Sequence, residues 1–330
     1  MCVDCLRQYV WRCSIACLRV IAKRSIKVES ATVLVVVLLL LTAGNRVSAA
    51  CDESLVSLQV LGSGGPFGGI GHASAGYLVW IDGVGRIMVD AGGGTFARFR
   101  EVGGRVEDLD LLALSHFHPD HSSEVPALLW PQRALIRIAG PSGSDQYPSV
   151  EEFVSGLFTA QDAVFRVVSS RIEFETVSVD VSAPQAVDVF SNDRVVIRGV
   201  GVPHGDVPTV GYRVDIGDAS IGFSSDQLAT SRAFVELVEG VDVLVVHFAA
   251  SENAVGGTSA LHASPSAWGR MASAANVKSV LLSHLSQSEP SDPRYRSHSG
   301  SDRERSIASL REQYAGPVTV ADDLMCVPIF

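Results

Sequence analysis

The chain has 330 residues, 47% of them hydrophobic and 19% charged, so it can bury one large core or two smaller ones. This composition excludes a disordered or fibrous protein. Residues 1–50 carry seven of the 26 Lys and Arg and two of the 36 Asp and Glu, which leaves 51–330 with a formal net charge of −15. Such an acidic surface repels a long polyanion, so nucleic acid is disfavoured as a substrate.

The first fifty residues are predicted to be a signal peptide with an extended basic n-region. The run 31–43 (ATVLVVVLLLLTA) is apolar, follows Lys23, Arg24 and Lys27, and precedes small residues at 47–50. This order is typical of a secretory signal, and the run is short for a membrane span. We therefore expect an exported protein, periplasmic or extracellular, with an uncleaved membrane anchor as the alternative. Because the n-region is long and holds four of the six cysteines, we also expect the natural start near Val20 rather than at Met1.

Cys51 stands directly after the predicted cleavage site. Lipid attachment to this cysteine would tether the chain to a membrane, but Ser48 occupies the position where a bacterial lipoprotein usually has Leu, so plain cleavage is favoured. Residues 51–330 contain only Cys51 and Cys326. These two cysteines could pair in an oxidising compartment.

From residue 51 onwards, strands separated by Gly-rich turns are followed by helices. In the first half the pattern predicts strands at 54–61, 75–81, 86–90 and 109–115, and helices at 95–102 and 123–130. In the second half it predicts strands at 170–181, 194–202, 211–216, 220–224, 242–247 and 279–283, and helices at 231–239 and 264–275. No Pro-rich or Ser-rich linker divides residues 51–330, which favours one domain with two similar halves.

Three histidines and an aspartate are crowded into the stretch 114–121 (LSHFHPDH), where a buried strand ends. His116 and His118 can point to the same side, because alternate residues of a strand share a face, and the following turn brings Asp120 and His121 round to a second position. Imidazole nitrogen and carboxylate oxygen are suitable ligands for zinc and its neighbours. The stretch therefore predicts a metal site, against the simpler reading of solvated histidines at a loop edge.

The stretch 115–121 (SHFHPDH) resembles the His-x-His-x-Asp-His signature of the metallo-β-lactamase superfamily. Further landmarks follow in the family's order: Asp90 in MVDAGGG, His204 in VPHGD, Asp226 in FSSDQ and His284 in LLSHLSQ. The resemblance covers residues 55–328. It implies an α/β fold, the αββα sandwich of the metallo-β-lactamase type, with a dinuclear metal site.

Within that superfamily the chain looks most like the ribonuclease Z branch, which includes relatives acting on cyclic nucleotides and sulfate esters. GPSG at 140–143 and the segments around His204 and His262 carry this likeness. Two departures make transfer-RNA maturation less favoured. The glutamate that follows the branch's His in His-Glu-Ala-Thr is replaced here by Phe248, and no long Gly/Pro-rich arm is visible.

The resemblance implies a complete site. His116, His118 and His204 would hold one Zn²⁺, Asp120, His121 and His284 the other, and Asp226 would bridge them, with Mn²⁺ or Fe as alternative metals. The two ions would share a hydroxide as nucleophile. Asp120 would orient this nucleophile, and His262, twenty-two residues before His284 as in the branch, would protonate the leaving oxygen.

Taken without the family pattern, several of these residues have simpler interpretations. His204 could be a core histidine, Asp226 a helix cap and His262 a capping or solvated side chain. Asp90 is expected to support the ligand histidines by hydrogen bonding. The glycines at 62–65 indicate a structural turn, and His72, His247 and His298 are assigned no role.

The favoured function is an exported dinuclear hydrolase of phosphodiester or sulfate ester bonds in small molecules. The alternative is a lactone or β-lactam hydrolase, and a transfer-RNA 3′ processing endoribonuclease or a non-catalytic metal-binding protein ranks lower. Relatives in this branch are often dimers, so a homodimer is also an expectation, although the apolar pattern defines no interface for it.

Overall fold

The computed structural model describes residue 51 and residues 55–66, 72–130, 132–285 and 300–330. The signal-peptide prediction for 1–50, the first residue of the strand predicted at 54–61, and His298 lie outside the described residues. Among the residues that are described, no helix is both long enough and apolar enough to cross a membrane.

Fourteen strands and nine α-helices make up the described part of the chain. The strands are β1 (Val56–Gly62), β2 (Gly76–Ile81), β3 (Val84–Val89), β4 (Leu111–Ala113), β5 (Ala134–Pro141), β6 (Ile172–Val179), β7 (Val187–Ser191), β8 (Val195–Gly201), β9 (Val210–Ile216), β10 (Ala219–Phe223), β11 (Val243–His247), β12 (Val280–Ser283), β13 (Val318–Val320) and β14 (Cys326–Pro328). The helices are α1 (Thr95–Glu101), α2 (Pro119–Ser122), α3 (Val125–Leu129), α4 (Val150–Val154), α5 (Arg166–Ser169), α6 (Arg232–Leu237), α7 (Gly257–Leu261), α8 (Pro265–Ala274) and α9 (Gly300–Arg311). A 3₁₀ turn at Val106–Asp108 and a π-helical turn at Ser155–Thr159 complete them.

The strands form two seven-stranded mixed sheets. The first has the order β14-β1-β2-β3-β4-β5-β6 and the second the order β13-β12-β11-β10-β9-β8-β7. In each sheet antiparallel pairs on one side give way to parallel pairs on the other, from β3 to β6 in the first and from β10 to β13 in the second. The strand predicted at 170–181 as the first of the second half is β6, which belongs to the first sheet, and so does β14 from the carboxyl end of the chain.

Buried side chains on both faces of the sheets explain the near-continuous apolar runs of the sequence. In β2, Tyr77 and Val79 point into the core between the sheets, while Leu78 and Trp80 point into a second core under the helices. A third core lies on the outer face of the second sheet and includes Trp268 of α8. The layers are therefore helix, sheet, sheet and helix, which confirms the αββα fold.

Several elements were not predicted from the sequence. They include β5, β7, β13, β14, α2, α5, α7 and α9. β13 and β14 have three residues each, too few to establish an alternating pattern. α9 is mostly polar and its apolar contacts to the third core are made by Ile307 and Leu310, so its helical periodicity is weak.

The strands that run in the same direction have their carboxyl ends at one edge of the sandwich. β3 and β4 end there in the first sheet, and β8, β10, β11 and β12 end there in the second. Side chains that follow parallel strands converge at such an edge. The candidate functional site lies here.

Cys51 and Cys326 form a disulfide, with their Cα atoms 5.6 Å apart. The bond joins residue 51 to β14, the edge strand that pairs with β1. A sulfur in a disulfide cannot also carry a lipid, so this pairing and a lipid tether through Cys51 are mutually exclusive.

Candidate metal centre

The six histidines and two aspartates predicted for the site meet at the common edge of the sheets. The loop after β4 brings His116, His118, Asp120 and His121, and the loop after β8 brings His204. Asp226 follows β10, and His284 follows β12. His262 follows α7, so all eight sequence-predicted residues come from segments that end at the same place.

His116, His118 and His204 form the first group. One ligand atom of each lies within 4.8 Å of the others. The Nε2 atoms of His116 and His204 are buried and have no hydrogen-bond partner within the described part of the chain. The Nδ1 atom of His204 bonds the carbonyl oxygen of Leu261 at 2.9 Å, which leaves Nε2 as the free nitrogen.

Asp120, His121 and His284 form the second group. The Nε2 atoms of His121 and His284 are 3.1 Å apart. Asp120 Oδ2 lies 3.1 Å from His284 Nε2 and 3.4 Å from His121 Nε2. Three donor atoms thus surround one point.

Asp226 lies between the two groups and is almost completely buried. Its Oδ2 is 3.8 Å from His204 Nε2 and 3.6 Å from His121 Nε2, while its Oδ1 is 3.4 Å from His284 Nε2. From this position the Asp226 carboxylate could bind a metal ion held by either group. No helix begins at Asp226, so the helix-cap interpretation is wrong.

Asp90 supports the histidines by hydrogen bonding, as the sequence predicts. Its Oδ2 is 2.8 Å from His121 Nδ1, and its two oxygens also accept hydrogen bonds from the amide and hydroxyl of Ser115. The Ser115 hydroxyl in turn lies 3.1 Å from His116 Nδ1. The carboxylate therefore fixes the orientation of His121 directly and contacts His116 through Ser115.

His247, to which sequence reasoning assigned no role, contacts the site directly. Its Nδ1 donates to Asp226 Oδ1 over 2.8 Å, and its Nε2 faces the Tyr77 hydroxyl at 3.3 Å. Because both ring nitrogens are engaged, His247 orients Asp226 rather than adding a free donor atom. The sequence signal that could have revealed it is its place at the end of β11, beside the strands that carry Asp226 and His284.

His262 lies close to Asp226, with its Nδ1 atom 3.8 Å from Oδ2. Its side chain is 13% exposed, and Nδ1 has no hydrogen-bond partner among the described residues. Phe248, which stands where the resemblance places a glutamate, is buried. His262 thus reaches the site without a supporting carboxylate from that position.

Burial and charge act in opposite directions on these groups. Burial lowers the pKa of His116 and His118 and lowers that of His262 to about 4. Burial also disfavours the charged form of His121, but the carboxylates of Asp90 and Asp226 outweigh it and raise its pKa well above the ordinary value. For Asp120, burial is outweighed by hydrogen bonds to His121 and His284, which hold its pKa below the usual range.

The donor atoms fit a divalent metal ion. Buried nitrogens without a partner are costly, and His116 and His204 each have one directed into the cluster. Ligand atoms bound tetrahedrally at ordinary zinc distances are separated by roughly 3.3 Å, close to the 3.1 to 3.4 Å found between Asp120, His121 and His284. Nitrogen and carboxylate oxygen donors suit zinc, manganese and iron.

Comparisons with known proteins agree with this geometry. Residues 85–285 match the family model described as Beta-lactamase superfamily domain. Ribonuclease Z from Thermobifida fusca (strain YX) is 26% identical over 302 residues, covering 78% of this chain and 90% of the relative.

Two solved structures share the fold. The metallo-beta-lactamase fold protein YhfI from Bacillus subtilis has a TM-score of 0.64 at 20% identity and covers 83% of this chain and 99% of its own. The short form of human tRNase Z has a TM-score of 0.61 at 18% identity, with the same two coverages.

Proposed function

Since the chain belongs to the beta-lactamase superfamily and is a hydrolase, we propose that it is exported and cleaves phosphodiester or sulfate ester bonds of small molecules with two divalent metal ions. The observation that carries the proposal is the meeting of two groups of His and Asp donors around Asp226. His116, His118 and His204 would hold one ion, Asp120, His121 and His284 the other, and Asp226 both. Zinc is the metal that we expect, and manganese or iron would fit the same donors.

When bound, two such ions polarise the ester and lower the pKa of water towards neutrality. The side chains then have separate tasks. Asp120 is ionised, because its pKa is held low, and it can accept a hydrogen bond from the attacking water. His262 lies beside Asp226. Its pKa of about 4 in the metal-free chain leaves the ring neutral at physiological pH, so donation of a proton to the leaving oxygen requires an anionic substrate to raise that pKa first.

The likeness to ribonuclease Z supports a phosphodiester substrate, because a ribonuclease cleaves such bonds. The formal net charge of −15 for residues 51–330 argues for a small ester rather than a long RNA. The chain differs from the ribonuclease Z branch at Phe248, which is buried. This residue replaces the glutamate that would support His262 in that branch.

The test is a hydrolysis screen of the zinc-loaded protein with bis-p-nitrophenyl phosphate, p-nitrophenyl sulfate, a homoserine lactone, nitrocefin and a transfer-RNA precursor. We expect turnover of the phosphodiester or the sulfate ester, and its loss in Asp226→Ala together with a metal content below two. A protein with two metals bound that turns over none of these compounds contradicts the proposal.

A lactone or β-lactam substrate is the second candidate. Within the described part of the chain, the ion-pair partners of Asp120 and Asp226 are all histidines, with no Lys or Arg among them. A neutral substrate needs no cation to bind it, so this lining suits a lactone as well. Faster turnover of nitrocefin or the lactone than of both anionic esters would select this candidate.

The role of His262 has its own test. A proton donor matters most when the leaving group is unstable as an anion, so His262→Ala should slow hydrolysis of an alkyl phosphodiester much more than that of a p-nitrophenyl one. Ser259→Ala, at an exposed position of α7, is the control and should change neither rate. Equal losses for both substrates would rule out proton donation.

Export is supported by the apolar segment 31–43 and by the Cys51–Cys326 disulfide, because such bonds persist in oxidising compartments. Mass spectrometry of the protein recovered from outside the cytoplasm should find an unmodified amino terminus at Cys51 and the intact disulfide. A chain that retains residues 31–43 would establish the membrane-anchor alternative, and a lipid on Cys51 would establish the tether.

A further inference from the structure

His284 is a ligand histidine whose buried outer nitrogen, Nδ1, has no hydrogen-bond partner in the part of the chain that the structure describes. The Nδ1 atoms of His116, His121 and His204 contact Ser115, Asp90 and the Leu261 carbonyl respectively. The Nδ1 atom of His284 is buried and has none within the described residues. On its Nδ1 side the ring is therefore held by packing and not by a polar partner.

Part of the packing is provided by the rings of His121 and His247, which stack on the imidazole. The rest comes from the segment Gly62 to Pro66, called here the glycine loop, which begins at the last residue of β1. A Cβ atom placed on Gly65 would lie 2.8 Å from Cε1 and 3.0 Å from Nδ1 of His284. Glycine is thus required at this position for the ring to lie where it does. The backbone of Gly65 packs directly against the imidazole ring of His284.

The glycine loop also holds the backbone that carries His284. Leu285 donates its amide hydrogen to the Ser63 carbonyl over 2.7 Å, and Gly64 and Leu285 form an isolated β-bridge. His284 itself has a φ of 50°, a left-handed conformation that a histidine adopts only when its surroundings impose it. The loop therefore sets both the backbone and the ring of this ligand.

Asp323 anchors the glycine loop. Its Oδ1 accepts hydrogen bonds from the amide and the hydroxyl of Ser63, each over 2.9 Å, and its Oδ2 accepts one from the amide of Ala73 over 2.7 Å. The side chain is only 7% exposed. One buried carboxylate thus joins the two ends of the connection between β1 and β2, with Arg98 Nε 3.6 Å from Oδ2.

We propose that Asp323 is a positioning residue of the metal centre, acting on His284 through the glycine loop. Without the carboxylate, two amide hydrogens and one hydroxyl lose their acceptor and the loop is free to shift. Gly65 then no longer confines the imidazole, and the geometry of the Asp120, His121 and His284 group loosens. This inference rests on the metal site proposed above, but not on any substrate.

The test compares Asp323→Asn with Asp322→Asn in the full chain. Asp322 is the adjacent residue and its side chain is 74% exposed. Its Oδ1 accepts a hydrogen bond from the Asp323 amide, not from Ser63 or Ala73, and lies 3.6 Å from His72 Nδ1, so it controls for the loss of a neighbouring carboxylate. Zinc affinity is measured by competition with a chromophoric chelator, and the site geometry by the visible spectrum of the cobalt-loaded protein. We expect Asp323→Asn to weaken binding by roughly 10- to 100-fold, as loss of a support for a ligand does, and to alter the cobalt spectrum, while Asp322→Asn does neither.

Two further variants keep the inference open to refutation if Asp323→Asn does not fold. Ser63→Ala removes one hydrogen bond to Asp323 and should weaken zinc binding less. Gly65→Ala pushes on His284 with Asp323 intact and should change the cobalt spectrum. Folded variants with the affinity and spectrum of the unaltered chain would overturn the proposal, whereas an unaltered chain that binds no metal would contradict the metal site itself.

Discussion

Asp226 contacts both groups of ligand histidines, and its orientation is set by His247. The ring of His247 donates to Oδ1, so that Oδ2 faces His121 and His204. Burial lowers the pKa of His247 to about 4, which keeps the ring neutral at physiological pH. A neutral ring with its proton on Nδ1 is the form that can donate to a carboxylate.

We therefore predict that His247→Ala weakens zinc binding by roughly 10- to 100-fold, because Asp226 loses the donor that fixes it. Tyr77→Phe is the control, since it removes the hydroxyl that bonds Ser283 and lies next to His247 Nε2 but leaves the bond from His247 to Asp226. Zinc competition assays on both variants provide the measurement. Equal affinities for His247→Ala and the unaltered chain would show that Asp226 is held in some other way.

The protonation of His121 and His284 makes metal binding dependent on pH. The pKa of each is raised in the metal-free chain, for His121 by Asp90 and Asp226 and for His284 chiefly by Asp226, in both cases against burial. A metal ion must displace these protons, so zinc affinity should rise as pH increases and fall as pH decreases. Calorimetry at neutral pH in buffers with different ionisation enthalpies should detect proton release on zinc binding, and the absence of release would contradict the prediction.

At the scale of elements, the parallel strands of the second sheet are joined at their start by Asp242. Its Oδ2 accepts hydrogen bonds from the amide and hydroxyl of Ser220, which lies on β10. Lys278, just before β12, donates to Oδ1 over 2.5 Å. Burial would raise the pKa of Asp242, but these hydrogen bonds outweigh it and lower that pKa.

We expect Asp242→Asn to reduce the free energy of unfolding by about 1 to 3 kcal/mol, because hydrogen bonds to a buried charge are lost. A carboxyl whose folded pKa is depressed stabilises the fold above its unfolded pKa of about 3.9, and that contribution disappears as pH falls. Urea unfolding near neutral pH and in acid should show the difference between variant and unaltered chain shrinking in acid. The exposed Asp218→Asn, in the turn before β10, should change little at either pH.

The sequence predicted those elements whose apolar runs are long and closed by clear turns. β9, β10, β11 and β12 lie within one residue of their predicted bounds. β5 and β7 were missed because their burial is uneven along the strand and partly exposed residues interrupt the pattern.

The residues of the site that the sequence motifs identified all lie together, because all but His262 follow strands that end at the same edge and His262 follows α7. His247 and Asp323 were not identified, since their roles depend on contacts between segments far apart in sequence. His247 meets Asp226 from the neighbouring strand, and Asp323 meets the glycine loop from the carboxyl end of the domain.

At the scale of the whole molecule, the disulfide joins the two ends of the described domain. Cys51 and Cys326 are 275 residues apart in sequence. Closing so long a loop restricts the unfolded chain strongly, and such a bond contributes about 2 to 5 kcal/mol. The bond also fastens β14 to the start of the domain, three residues beyond Asp323.

Reduction of this bond should lower the melting temperature by about 5 to 15 °C. Scanning calorimetry with and without a reductant is the measurement. Cys326→Ser should melt at the lower temperature and show no further response to the reductant. A response in that variant would assign the effect to other cysteines of the chain.

The same covalent link determines what a protease can do to the protein. A single cut anywhere between Cys51 and Cys326 yields two fragments that remain one molecule until a reductant is added. His116 to His121 and the pair Asp226 and His284 would then belong to separate fragments after a cut between 121 and 226, yet would stay joined. A nicked enzyme of this kind would keep its full mass on a non-reducing gel. Its two fragments could also re-form the metal centre within one molecule, because the disulfide keeps them together.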